Sequence, residues 1–332
     1  MANQSLTVHE AAQRVAESVA SVIVGKDDVI ELAVTALLCR GHLLFEDVPG
    51  SGKTTLAKAL AASLGCTFSR VQFTPDLMPA DITGINYYNQ RSGDFELRNG
   101  PIFSQVLLAD EVNRATPRTQ SALLEAMQEG QVTIEGETLP LPAPFMVMAT
   151  QNPIELEGTF PLPEAQLDRF LMRLSLGLPS AEEEARMIHR FNADDPLERV
   201  RPVLSTQELL SMQDQIATAR VEPALEDYII GIVHSTRDHP SLDLGASPRA
   251  SLALHHTSQA LALQQGRDYV TPDDVKRLAP YVLTHRVILN AQARLRGLTS
   301  LDVVDDVLRT VPVPISGQPE DDTVAEEVAA DR

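Results

Sequence analysis

The sequence contains no tryptophan, and only 4% of its 332 residues are aromatic. A core for a chain of this length must therefore be built mainly from aliphatic side chains, which the 43% share of hydrophobic residues permits. Cysteine is also scarce: Cys39 and Cys66 stand alone, without CxxC spacing or a nearby histidine pattern. This predicts two reduced, buried thiols and gives no indication of a disulfide framework or a zinc site.

Basic residues are few as well, with 27 Lys and Arg against 46 Asp and Glu and a formal net charge of −19. Proteins that coat nucleic acid neutralise phosphates with Lys and Arg, so this charge disfavours a nucleic-acid or anionic-membrane partner. No apolar run approaches the roughly 20 residues that span a bilayer. The polar N-terminus lacks a signal-peptide pattern. We predict no membrane insertion and a cytoplasmic location.

The first half of the sequence alternates between helical and strand-like patterns. The spacing of apolar residues predicts helices at 6–22, at 27–39, from the glycine-rich loop to about residue 64, and at 117–129. Short apolar runs predict strands at 42–46, 67–73, 104–111, 145–152 and 170–176. Two hairpins are predicted within 74–103 and 131–141, the second turning at Glu135-Gly136.

After Pro179 the strand patterns stop. Helices are predicted at 181–192, 206–219, 223–238, 248–265 and 272–285. Alternating strands and helices followed by helices alone predict an α/β domain with a parallel sheet over 1–180 and a smaller all-α domain over 181–314. The acidic end, 315–332, has no core pattern and is predicted to be a disordered tail.

The strongest local motif lies between the first predicted strand and the following helix. Glycines there let consecutive N–H groups face a phosphate chain at a helix N-terminus. Lys53 is expected to reach the β and γ phosphates of a nucleotide, and the Thr54 hydroxyl to ligate Mg²⁺. Asp47 stands where the general motif has glycine, and one interpretation turns its carboxylate away from the phosphates. The predicted ATP-binding loop comprises Pro49, Gly50, Ser51, Gly52, Lys53, Thr54 and Thr55.

A second motif follows about sixty residues later, where four apolar residues lead into Asp110 and Glu111. A buried strand beside the strand of the glycine loop places both carboxylates at its C-terminal end, next to the phosphates. Asp110 is expected to hold Mg²⁺ through water, and Glu111 to orient and polarise the attacking water.

Three further residues are candidates, each with an ordinary structural alternative. Asn152 ends a predicted strand and either positions the attacking water or forms a turn. Arg169 either enters the site of a neighbouring subunit or forms a surface ion pair with Asp168. Arg249 opens a helix of the second domain and either reaches the γ phosphate or is an ordinary helix-start residue.

Together, the segments VPGSGKTT, LLADEVNRA, TQSALLEAMQEGQVTI, ATQNP and LPEAQLDRFLMR resemble the MoxR family of AAA+ ATPases. The resemblance runs over about residues 20–290 and implies a P-loop AAA+ core followed by a lid. It implies that 74–103 and 131–141 are the hairpin inserts of this clade. The implied roles are Walker A for Lys53 and Thr54, Walker B for Asp110 and Glu111, sensor 1 for Asn152, arginine finger for Arg169 and sensor 2 for Arg249.

The resemblance also implies a ring, commonly of six subunits, that uses ATP and Mg²⁺. Such a ring is expected to act as a chaperone-like ATPase on proteins with von Willebrand factor A domains. A DNA-translocating ring is the main alternative, although the hairpin at 131–141 has no Lys or Arg, and the first hairpin carries Arg91 and Arg98. A slow nucleotide switch that controls assembly is a further alternative.

Overall fold

The computed structural model describes residues 6–152, 158–191 and 195–314. The predicted tail at 315–332 lies outside the described residues. The strands are β1 (Leu43–Glu46), β2 (Phe68–Gln72), β3 (Gly84–Asn89), β4 (Asp94–Asn99), β5 (Val106–Asp110), β6 (Gln131–Ile134), β7 (Glu137–Pro140), β8 (Met146–Gln151), β9 (Met172–Leu174), β10 (Leu242–Leu244) and β11 (Ile288–Leu289).

Thirteen α-helices lie in the described residues, and the first begins at a capping box formed by Thr7 and Glu10. They are α1 (Val8–Ala20), α2 (Asp27–Leu38), α3 (Lys53–Ser63), α4 (Pro79–Thr83), α5 (Pro117–Glu129), α6 (Glu164–Leu167), α7 (Ala181–Phe191), α8 (Thr206–Gln215), α9 (Pro223–Arg237), α10 (Pro248–Gln264), α11 (Pro272–Leu283), α12 (Ala291–Leu295) and α13 (Ser300–Thr310). None of the helices in the described ranges is both long and apolar enough to cross a membrane.

Five of the strands form one parallel sheet with the order β2-β5-β8-β1-β9. Because successive side chains of a strand point to opposite faces, the sheet separates two apolar clusters. Val106 and Leu108 pack into one cluster, and Leu107 and Ala109 into the other. The order places β5 and β8 in the interior, which explains why their sequences are continuously apolar. It also brings the C-terminal ends of β1, β5 and β8 to one edge.

Both predicted hairpins are present as antiparallel pairs outside the main sheet. Strands β3 and β4 pair from Gly84↔Asn99 to Asn89↔Asp94, and β6 and β7 pair from Gln131↔Pro140 to Ile134↔Glu137. Glu135 and Gly136 both have positive φ at the second turn, +50° and +90°. This is the geometry of a tight hairpin connection.

The prediction that strands stop after Pro179 is wrong. Strands β10 and β11 pair antiparallel, with Leu242 opposite Leu289. They are only three and two residues long, too short for an alternating pattern to be visible in the sequence. Helices α12 and α13 were not predicted either. The region is otherwise helical, and the division at residues 180 and 181 stays a prediction.

The two cysteines are free, as predicted, but both are only half-buried. Burial raises the pKa of Cys39 to about 12 and that of Cys66 to about 11. Both thiols therefore remain protonated and poorly nucleophilic at neutral pH.

His42, just before β1, forms hydrogen bonds to β8 and α5 and makes the stability of the protein depend on pH. Its Nδ1 accepts a hydrogen bond from the Val147 N–H at 3.0 Å, so its Nε2 carries the proton and donates to the Met127 carbonyl at 2.9 Å. Burial lowers the pKa of His42 from 6.5 to about 4. Between these values the unfolded chain binds more protons than the folded one, so stability decreases as pH falls.

Urea unfolding at pH 7 and pH 5 tests this dependence. We expect the His42 contribution to the free energy of unfolding to fall by about 2 kcal/mol between the two pH values. His42→Gln, which cannot titrate, should show an acid-induced decrease that is smaller by that amount. Equal decreases in the two proteins would show that His42 does not cause the effect.

Candidate active site

The loop between β1 and α3 curls around an open space. Gly50 and Gly52 have φ values of +84° and +94°, which residues with a Cβ atom rarely adopt. A Cβ added to either glycine would meet no atom within 4 Å, so the glycines are needed for the backbone shape and not for close packing. The loop ends at the first turn of α3, where free N–H groups favour an anion.

A cleft of about 370 Å³ lies in front of this loop at the C-terminal edge of the sheet. Its walls include every predicted site residue except Arg169 and Arg249. The residues lining it are Asp47, Pro49, Gly50, Ser51, Gly52, Lys53, Thr54, Thr55, Arg70, Gln72, Asp110, Glu111, Thr150, Gln151 and Asn152.

Lys53 is the cation of the loop. Its Nζ donates to the Val48 carbonyl at 2.9 Å, to Ser51 Oγ at 3.2 Å and to the Asp47 carbonyl at 3.4 Å. Burial lowers the pKa of Lys53, and the charges of Asp47, Asp110 and Glu111 oppose this shift. The ammonium group is therefore held near the glycine backbone, where a phosphate chain would meet it.

The carboxylate of Asp47 points away from the glycine loop. It accepts hydrogen bonds from Ser175 Oγ at 2.6 Å, the Leu176 N–H at 2.8 Å and the Gly177 N–H at 3.0 Å. Only 6% of the residue is exposed. Asp47 thus fixes the chain that follows β9 to the start of the loop, and its departure from the general motif has a structural reason.

Replacing Asp47 with alanine should lower the free energy of unfolding by about 3 kcal/mol, because two backbone N–H groups lose a charged acceptor. Asp47→Asn keeps one acceptor oxygen and should lose less. Urea unfolding of the three proteins measures the difference. An unchanged midpoint for Asp47→Ala would show that these hydrogen bonds do not stabilise the fold.

Asp110 is the last residue of β5, and its carboxylate accepts hydrogen bonds from both neighbouring strands. Thr150 Oγ1 on β8 donates to its Oδ1 at 2.6 Å. Arg70 on β2 donates to its Oδ2 from Nη2 at 2.6 Å and from Nε at 3.1 Å. Asp110 is thereby oriented at the edge of the cleft.

Glu111 is oriented by a strained backbone and by two side chains. Its φ of +56° lies in the left-handed region, which is uncommon for a residue with a Cβ and recurs at functional sites. Gln72 Nε2 donates to its Oε2 at 2.7 Å, and Arg114 Nε lies 3.4 Å from the same oxygen. The Glu111 N–H donates to Thr150 Oγ1 at 2.8 Å. One threonine therefore contacts both predicted acidic residues.

Sequence reasoning missed Arg70, Gln72 and Thr150. The parallel register places Gln72 opposite Asp110, and the order of the strands puts the end of β8 on the other side of β5. The sequence does show polar residues near the ends of two predicted strands. They could not be assigned to the site without knowing which strands are neighbours. Asn152, which was predicted, lines the cleft at the end of β8 and is 8% exposed.

The residues of the cleft suit a magnesium ion that is bound together with a nucleotide. Mg²⁺ is usually held by one or two carboxylates together with phosphates and water. Asp110 and Thr54 line the same cleft. In the described part of the chain, no group of three or more His, Cys, Asp and Glu residues forms a metal site from protein ligands alone. The assignment of Thr54 and Asp110 as the groups that would hold the ion stays a prediction.

Arg169 lies outside the cleft, just after α6. It lines a second cavity of about 300 Å³ with residues of α5 and α6, among them Glu125, Gln128 and Gln166. Its Nη1 donates to the Leu124 carbonyl at 2.7 Å. The alternative of an ion pair with Asp168 is not what the structure shows, because Asp168 pairs with Arg286 at 2.8 Å.

Arg249 is exposed in the first turn of α10 and does not line the cleft. Its N–H donates to Ser247 Oγ, the N-cap of the helix, at 3.1 Å. Both sequence interpretations of Arg249 therefore stay open.

Comparison with known proteins identifies the family. Residues 42–172 match the ATPase family associated with various cellular activities (AAA), and residues 234–307 match the AAA lid domain. The chain is 46% identical over 311 residues to chaperone MoxR1 of Mycobacterium tuberculosis, and this alignment covers 91% of this chain and 82% of that protein. It is 32% identical over 330 residues to protein MoxR of Methylorubrum extorquens, covering 92% and 96%. The chain belongs to the MoxR family of AAA+ ATPases.

The fold agrees with this membership. A solved structure from Cytophaga hutchinsonii, provisionally described as an ATPase, superimposes with a TM-score of 0.87 at 40% identity, covering 93% of this chain and 96% of that one. The match to the AAA family therefore covers the glycine loop and the strands from β1 to β8, and the match to the AAA lid covers α10, α11, α12 and most of α13. Membership in the family implies ATP binding. The roles of the individual site residues stay predictions.

Proposed function

We propose that this protein is an Mg²⁺-dependent ATPase that couples ATP hydrolysis to the remodelling or maturation of a partner protein. The observation that carries the proposal is the placement of Glu111 beside Asp110, at the edge of the cleft that also contains Lys53 and the glycine loop. A cation, a metal-binding carboxylate and a potential base then line the same cleft.

The predicted site residues of the cleft each have a definite task in this proposal. Lys53 and the loop N–H groups bind the phosphates, and Thr54 and Asp110 hold the ion, which neutralises charge on the phosphates when bound. Glu111 accepts a proton from the attacking water, and Gln72 and Arg114 keep its carboxylate in place. Asn152 orients the same water from the neighbouring strand.

The assembly we propose is a ring of six subunits, which is needed for catalysis. Arg169 does not line the cleft of its own chain and serves as the arginine finger of the neighbouring subunit. We also propose a division into an ATP-binding domain over 1–180 and a lid over 181–314. The proposed location is the cytoplasm.

The partner we propose is a protein with a von Willebrand factor A domain, bound as a client of a chaperone-like ATPase. The relative from Mycobacterium tuberculosis is named a chaperone. A DNA-translocating function is less well supported, because Glu135 and Glu137 make the tip of the β6–β7 hairpin acidic and exposed and would repel phosphates.

Phosphate release by the purified protein tests this function. Hydrolysis should require Mg²⁺ and be lost in Lys53→Ala, and a purified von Willebrand factor A protein should stimulate it in wild type alone. Duplex DNA at physiological salt is the matched control. Stimulation by DNA instead would support the translocase, and slow hydrolysis unaffected by either would support a nucleotide switch.

Arg249 is proposed as the residue that couples the lid to the nucleotide. If it reaches the γ phosphate, the first turn of α10 should exchange its amide hydrogens more slowly with a non-hydrolysable ATP analogue than with ADP. Arg249→Ala should abolish the difference. Equal exchange in both nucleotide states of the wild type would leave Arg249 as a helix-start residue.

A further inference from the structure

The carboxylate of Asp168 is bound by two residues of the lid. Ser247 Oγ donates to its Oδ2 at 2.8 Å, and Arg286 Nε donates to its Oδ1 at 2.8 Å. Asp168 lies within the region that matches the AAA family, whereas Ser247 and Arg286 lie within the region that matches the AAA lid. The contact therefore joins the two parts of the protein.

The same lid residues also hold the backbone that follows Asp168. Arg286 Nη2 donates to the Phe170 carbonyl at 2.6 Å, and its Nη1 donates to the Leu171 carbonyl at 3.1 Å. His285 Nε2 lies 3.1 Å from the Phe170 carbonyl. The lid thus contacts the chain on both sides of Arg169.

Arg286 is the buried partner of this ion pair, and Asp168 is half-buried. Arg286 is 8% exposed. Burial lowers the pKa of Arg286 to about 10, while the carboxylate of Asp168 opposes this shift, so the side chain remains charged at neutral pH. A buried charge that loses its partner is strongly destabilised. Asp168 and Arg286 should therefore move together whenever the lid moves.

The Arg169 side chain is hydrogen-bonded to the backbone of α5. Its Nη1 donates to the Leu124 carbonyl, and its buried Nε has no hydrogen-bond partner among the residues that the structure describes. Its placement therefore depends on the backbone at 168–171. On the lid side, Ser247 is the N-cap of α10 and accepts a hydrogen bond from the N–H of Arg249.

We propose that Asp168, Ser247 and Arg286 are positioning residues that attach Arg169 to the lid of its own subunit. The position of the lid in one subunit then determines how Arg169 is presented to the ATP of its neighbour. This inference rests on the proposed function, in which Arg169 acts in trans. The Ser247 hydroxyl accepts a hydrogen bond from the Arg249 N–H and donates one to Asp168, so it links the first turn of α10 to the residue before Arg169.

A mixture of two inactive variants can test the inference. Lys53→Ala subunits donate Arg169 but have no working cleft, and Arg169→Ala subunits offer a working cleft without the arginine. Ser247→Asp is then added to one or the other chain. Aspartate still caps a helix, but it places a second carboxylate against Asp168. The substitution therefore separates the contact with Asp168 from the capping of α10.

Ser247→Asp in the chain that donates Arg169 should lower the restored ATP hydrolysis at least about tenfold, the factor of one hydrogen bond to a charged group. In the chain that offers the cleft the loss should be smaller, because aspartate still caps α10 and accepts the hydrogen bond from the Arg249 N–H. Ser247→Thr, which keeps the hydroxyl, should rescue the loss. Ser205→Asp, the same change at the N-cap of α8, is the matched control and should have no effect in either chain.

Sizing and thermal unfolding establish that each mixture assembles and that each variant folds. If Ser247→Asp is harmless in both chains, or harms the chain that offers the cleft as much as the donor, the inference is overturned and the proposed function stands. If the parent mixture itself regains no activity despite co-assembly, the trans role of Arg169 fails, and the inference fails with it.

Discussion

Glu111→Gln is expected to bind ATP with nearly wild-type affinity and to hydrolyse it about 10²–10⁴ times more slowly, the usual contribution of a general base. An amide cannot accept the proton of the attacking water, whereas it can still accept the hydrogen bond that Gln72 donates to Glu111 Oε2. The glycine loop, Lys53 and Asp110 are unchanged, so the binding contacts remain.

Equilibrium binding of a fluorescent ATP analogue and phosphate release separate the two effects. Lys53→Ala provides the contrast, because it should lose affinity when the charge facing the phosphates is removed. Glu135→Gln, the same change on the exposed β6–β7 hairpin, is the matched control and should behave as wild type. Hydrolysis by Glu111→Gln near the wild-type rate would show that another group is the base.

Arg169→Ala is expected to lower ATP hydrolysis by about 10³–10⁵, the range measured for arginine fingers. The reason is that the cleft would lose the positive charge that we propose Arg169 of the neighbouring subunit contributes to the phosphoryl group. Lys53→Ala should be inactive as well, and mixing the two variants should restore activity. A Lys53→Ala subunit still has its Arg169 and completes the cleft of an adjacent Arg169→Ala subunit.

With random mixing in equal amounts, about a quarter of the interfaces of a closed ring carry both working halves. Arg309→Ala removes an arginine from the last turn of α13 and serves as the control, with activity expected to match wild type. No gain at any mixing ratio, with co-assembly shown by sizing, would mean that Arg169 acts within its own chain or only supports the fold.

Local sequence was sufficient to predict the elements that bear the candidate chemistry. A short apolar run, a glycine-rich loop and a helix follow one another around Lys53, and each depends on residues within a few positions. The same holds for the strand that ends at Asp110 and for the hairpin that turns at Glu135 and Gly136. Apolar periodicity and positive φ at glycine are local properties, so one sequence reveals them.

Contacts between distant segments could be decided only by the tertiary structure. The sequence does not show that β2 and β8 flank β5, and therefore does not show that Arg70 and Thr150 both bind Asp110. The carboxylate of Asp47 likewise finds its partners more than 120 residues away, at Ser175 and the two residues that follow.

The family could be predicted from the motifs alone, because each motif is a contiguous stretch of sequence. The comparisons confirm this prediction. The pairing of Asp168 with Ser247 and Arg286 was not, since it joins segments 79 and 118 residues apart. Side chains at such separations meet only after the sheet and the lid have packed. The sequence by itself determined which residues could do chemistry, and the packing of the chain decided which of them are neighbours.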